Sequence, residues 1–108
     1  MPRFTKLERD VMRRAARRLW SHGTRGELAR DANGEKIYWW EPDATSWCAV
    51  GALNMEWEID WGSAEVASSR LCAKIIRAEK GGISLMEAND ERGPRAAARL
   101  LRKLAGKR

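Results

Sequence analysis

The chain has 108 residues; Lys plus Arg number 21 against 15 Asp plus Glu, a formal charge of +6. One His and two Cys cannot build a zinc site of two cysteines and two histidines, or of four cysteines. No run of about 18 apolar residues offers a membrane span, so no membrane partner is expected. With 44% hydrophobic and 33% charged residues, the composition suits one globular domain of 1–108, its small core reinforced by six Trp.

The charge is unevenly placed. Residues 1–30 carry a net +6, residues 31–90 a net −6, and residues 91–108 a net +6. Basic ends flank an acidic middle. Arg13, Arg14, Arg17 and Arg18 break any signal-type apolar stretch, and Cys48 and Cys72 lie in apolar patterns. Reduced thiols in a cytoplasmic setting are therefore expected.

In chain order, Thr5-Lys6-Leu7-Glu8 has the form of a capping box and opens a helix over 5–22. Leu7, Val11, Ala15 and Leu19, flanked by Met12, Ala16 and Trp20, form its apolar stripe. Lys6, Arg9, Arg13 and Arg17 fall on another face, with Arg14 and Arg18 beside them, and Gly23 is the stop. A hairpin is expected over 25–41, with strands near 27–31 and 36–40. Asn33-Gly34 suits a two-residue type I′ turn, and Ile37 or the trio Tyr38, Trp39 and Trp40 supply contact with the helices. A central, nearly all-round apolar helix is predicted over 44–55, with Asp43 or Ser46 as its cap. Glu56-Trp-Glu-Ile-Asp-Trp61 alternates acid with apolar and reads as a short strand or ordered loop. A further helix over 63–80 ends at Gly81-Gly82, and a helical segment over 84–105 is broken at Asn89-Asp90 and Gly93-Pro94. The expected fold is α+β: mostly helical, about four helices with one hairpin.

Three segments carry a resemblance. Gly26-Glu-Leu-Ala-Arg-Asp-Ala-Asn-Gly34, then Trp47-Cys48-Ala-Val-Gly51-Ala52-Leu53, then Asn89-Asp90 before a terminal helix resemble a family of small uncharacterised bacterial and phage-encoded proteins. The resemblance covers roughly residues 7–105. It implies a bacterial or phage setting in the host cytoplasm and carries no activity. Ala88 stands where a Trp often precedes the Asn-Asp pair.

The basic stripes are the main candidate for function. Arg9, Arg13, Arg14, Arg17 and Arg18 on the first helix and Arg95, Arg99 and Arg102 on the last suit phosphate contacts. A solvated helix face accounts for such a run equally well. The expectation is a non-enzymatic protein that contacts nucleic acid or a nucleoprotein complex by its backbone, with no cofactor and no metal. A second expectation is a phage-encoded modulator of a host protein, docking through Glu56, Trp57, Glu58, Asp60 and Trp61; the same segment offers a route to a homodimer, or covers the core edge. A third is a Cys-dependent hydrolase using Cys48 and His22. Asp31-Ala32-Asn33-Gly34 does not fit a calcium loop, since Ala29 and Trp40 would fall at its end ligand positions. Asn89 or Asp90 is expected to cap the last helix or to tie its turn to the hairpin. No phosphate-loop or dinucleotide glycine motif occurs.

Overall fold

A computed structural model describes residues 4–25, 29–61, 71, 74–75 and 85–106; for 58–61 and 86 it describes the backbone alone. The fold is α+β. Helix α1 spans Lys6–His22. The Thr5 hydroxyl accepts from Glu8 N at 3.1 Å, and the Glu8 carboxylate accepts from Thr5 N at 2.8 Å, so the capping box forms reciprocally. Val11, Met12, Ala15, Ala16 and Leu19 are fully buried, as the stripe requires.

Gly23 ends α1 in an extended conformation, with φ −86°. Its lack of a side chain serves a close approach: a β carbon there would collide with the Pro94 side chain and the Leu19 carbonyl. The chain then enters a small sheet of β1 (Ala29–Arg30), β2 (Lys36–Ile37) and β3 (Ser46–Trp47), ordered β2-β1-β3 and antiparallel throughout. Buried Ala29 pairs with Ile37 on one side and Trp47 on the other.

The strands end sooner than expected, β1 at Arg30 and β2 at Ile37, with residues 27 and 28 outside the described residues, and the turn differs. Asp31 N donates to Glu35 O and Gly34 N donates to Asp31 O, each at 3.0 Å, so the loop is Ala32-Asn33-Gly34 rather than a two-residue turn. Gly34 takes the left-handed conformation at φ +82°, and the Asp31 carboxylate accepts from Asn33 N and Glu35 N. Of the aromatic trio, Trp39 alone packs inward; Tyr38 and Trp40 are exposed.

Trp47 belongs to β3, not to the central helix. Its backbone and its ring are both already engaged: Thr24 N donates to Trp47 O at 2.8 Å, and the Trp47 indole donates to Trp39 O at 3.0 Å. Helix α2 therefore spans Ala49–Trp61, beginning later and ending later than the 44–55 reading. The acid–apolar alternation of 56–61 is the end of this helix, not a strand or loop. At helical spacing Ala49, Ala52, Leu53 and Glu56 share one face, and all four are buried.

Of the expected 63–80 helix, Leu71, Lys74 and Ile75 are helical; the rest, with Cys72, Gly81-Gly82 and Ser84, lies outside the described residues. Helix α3 (Leu85–Glu87) runs directly into a π-helical turn, Ala88–Arg92, so the chain stays helical through Asn89-Asp90. The break falls at Gly93, with φ +98°. Helix α4 spans Pro94–Ala105, with Pro94 in its first turn and no side-chain cap. Ala97, Ala98, Leu101 and Ala105 are buried, and the small residues let α4 lie close along α1. The pair is antiparallel: Arg13 meets Ala105, and Trp20 meets Arg95. Among the described residues, no helix is long and apolar enough to cross a membrane.

Candidate anion-binding face

The arginines of α1 divide between two flanks. Arg14 and Arg18 lie toward α2. Their Nε atoms stand 3.3 and 2.7 Å from the Glu56 carboxylate, and the Arg18 guanidinium lies 4.4 Å from the centre of the Trp47 ring. Glu56 is 6% exposed. This corrects two expectations together. Arg14 and Arg18 are committed to a carboxylate of the same chain, and Glu56 faces inward rather than toward a partner. Trp57 is half-buried against the core, which fits the reading in which this segment covers the core edge. The side chains of Glu58, Asp60 and Trp61 lie outside the described residues.

The other flank of α1 borders α4. Arg13, Arg17 and Trp20 are spaced by four and three residues and share this side with Arg9. Across the helix pair, Arg95, Arg99 and Arg102 gather over the Trp20 ring, their guanidinium carbons 4.7, 5.3 and 5.5 Å from its centre. Arg95 Nε donates to the Trp20 carbonyl at 3.3 Å, satisfying one of the last carbonyls of α1, which have no partner within the helix. Arg13 donates to Ala105 O at 3.4 Å and lies 3.6 Å from Asp10. Among the described residues, Arg9, Arg17, Arg95, Arg99 and Arg102 make no ion pair with a carboxylate. Arginines far apart in the chain thus form one basic face with a tryptophan at its centre.

The remaining candidates separate clearly. Cys48 is buried beside the start of α2; burial pushes its thiol up, and its Sγ accepts from Gly51 N at 3.4 Å. His22 is exposed at the end of α1, its Nδ1 3.0 Å from the Ser21 hydroxyl. Burial disfavours the thiolate, the form in which a cysteine attacks as a nucleophile. Asn89 does not cap α4; its Nδ2 donates to Thr24 O at 3.0 Å and ties the π turn to the segment after α1. Among the described residues, no group of His, Cys, Asp and Glu is placed to hold a metal ion.

Sequence reasoning placed Trp20 beside the apolar stripe and passed over its role. The Arg13, Arg17, Trp20 spacing was the available signal. It also missed the Tyr38–Trp40 pair, whose exposed rings stack with centres 5.2 Å apart and planes within 2°.

A family model described as "Family of unknown function (DUF6197)" matches residues 4–107. The chain belongs to this family. No curated protein and no solved structure matches it. The match spans both arginine-bearing helices of this DUF6197 member, the sheet and Trp20.

Proposed function

We propose that this DUF6197 protein is a non-enzymatic binding protein that contacts the sugar–phosphate backbone of nucleic acid, free or within a nucleoprotein complex, through the face shared by α1 and α4. The observation that carries the reading is the convergence of Arg95, Arg99 and Arg102 on Trp20, beside Arg13 and Arg17. Arginine presents a planar fork of donors that suits phosphate oxygens, and fixing the guanidinium over an aromatic ring restricts it before a ligand arrives. Backbone contact implies weak sequence preference. A cytoplasmic setting in a bacterial host goes with this reading.

The test is charge reversal. Arg17→Glu and Arg99→Glu are each expected to weaken binding to a random-sequence duplex markedly, without abolishing it. Lys36→Glu, on the hairpin away from α1 and α4, is expected to leave it intact. Equal binding by all three would remove the proposal.

A second reading, a module that docks on a host protein, is favoured by the Tyr38–Trp40 pair, at 62% and 55% exposure. Aromatic residues are enriched at protein interfaces. It predicts a nuclease-resistant complex lost on Trp40→Ala.

A further inference from the structure

At the end of the α1–α4 seam, the chain folds around an open cleft of about 410 Å³. Trp20, Ser21, Arg25, Arg92, Gly93 and Arg95 are among its lining residues, and among the described residues no carboxylate lines it. Three arginines therefore line it from three segments: the stretch after α1, the π turn and the first turn of α4. Resting on the backbone-binding reading above, we infer that this cleft is a site for a phosphate monoester, filled by the terminal phosphate of a strand whose backbone lies along the Trp20 face.

The local geometry supports the site in three ways. Gly93 holds φ +98°, a conformation that disfavours a side chain, and a β carbon there would lie 3.3 Å from an Arg25 terminal nitrogen. The missing side chain is what lets the Arg25 guanidinium settle over the Gly93 backbone. Asn89 bonds Thr24 O, and so fixes the segment bearing Arg25 against the turn bearing Arg92. Arg95 spends its Nε on the Trp20 carbonyl and keeps its two terminal nitrogens for a ligand.

Charge selects the terminal phosphate over an internal one. A phosphate monoester carries about −1.5 to −2 at pH 7 and offers three acceptor oxygens. An internal diester carries a single negative charge and two free oxygens. Three arginines on one cleft match the first better than the second. The shared Trp20 and Arg95 make the cleft continuous with the face that would hold the rest of the strand.

The experiment compares short duplexes with 5′-phosphate and 5′-hydroxyl ends by fluorescence anisotropy, and adds inorganic phosphate to labelled protein while Arg side-chain NMR signals are followed. The 5′-phosphate is expected to raise affinity about tenfold. Arg25→Ala and Arg92→Ala, both at exposed positions, are expected to remove that preference while keeping 5′-hydroxyl binding. Equal affinity for the two ends, or a preference that survives both substitutions, overturns the inference and leaves the backbone reading standing. If neither duplex binds, the backbone reading falls. Inorganic phosphate then decides the cleft: signals that shift in the wild type and not in Arg92→Ala support it, and unshifted signals overturn it.

Discussion

Arg95 and Trp20 meet twice. The Arg95 Nε donates to the Trp20 carbonyl at 3.3 Å, and its guanidinium carbon lies 4.7 Å from the centre of the Trp20 ring. One side chain thus closes an open carbonyl of α1, shields an aromatic ring and presents its outer nitrogens to solvent. Arg99 and Arg102 repeat the ring contact from the next turns of α4. Trp20 therefore organises the basic face.

Replacing Trp20 should be felt in both stability and binding. An exposed cation–π contact contributes about 0.5–1 kcal/mol. Trp20→Ala is expected to lower stability in urea by a few such units and to weaken duplex binding, with Trp20→Phe intermediate in both. Binding unchanged in Trp20→Ala would show that the ring does not organise the arginines.

Glu56 should matter for stability. It is buried and takes Arg14 and Arg18 on its two oxygens. Glu56→Ala strands two partly exposed guanidinium groups, at an expected cost of about 1–3 kcal/mol. The double variant with Arg18→Met should cost less than the sum of the single changes, as a thermodynamic cycle in urea would show. Strict additivity would mean that the pair is not coupled.

Much of the fold was legible because its signals are local. The Thr5–Glu8 box and the apolar stripe specify α1, and Gly93-Pro94 opens α4 where expected. The errors arose where tertiary contacts overrode local preference. Trp47 reads as helix by its neighbours, yet backbone pairing with Ala29 and Thr24 makes it a strand. Glu56-to-Trp61 alternates like a strand, yet Glu56 finds its partners at helical spacing on α1. The basic face was half legible. Spacing alone sorted Arg13 and Arg17 from Arg14 and Arg18, but only the packing of α4 showed which flank meets Arg95. Nothing local joins Arg25 to Arg92, which are brought together by the Asn89–Thr24 tie.

Gly23 should resist substitution. Its Cα faces Pro94 where α1 ends and α4 begins. Gly23→Ala is expected to destabilise the protein by about 1–3 kcal/mol, the usual cost of overpacking, although its φ suits any residue. A thermal midpoint equal to wild type would show that the contact yields freely.

Cys48 should react slowly. Burial and the nearby Asp90 raise its thiol above the ordinary 9.0, outweighing its backbone hydrogen bonds. Iodoacetamide at mildly alkaline pH should modify folded Cys48 far more slowly than the unfolded chain. Rapid modification without unfolding would revive a chemical role for the thiol.

Acid stability should depend on Glu8. Burial pushes its carboxyl up, but hydrogen bonds from Lys74 and Thr5 outweigh burial and hold it below the ordinary 4.5. The folded state then binds fewer protons than the unfolded chain. Its contribution is complete above 4.5 and is lost as pH falls through the lower folded value. Glu8→Gln should flatten the stability profile in that window, measured by urea midpoints against pH. A profile identical to wild type would contradict this role.

The salt dependence of duplex binding tests the central claim most directly. If Arg13, Arg17, Arg95, Arg99 and Arg102 each neutralise one phosphate, the logarithm of affinity should fall against the logarithm of salt concentration with a slope of about −4.5. Arg99→Glu should make that slope visibly shallower. A slope near zero, or one that Arg17→Glu and Arg99→Glu leave unchanged, would contradict a backbone-binding face on α1 and α4.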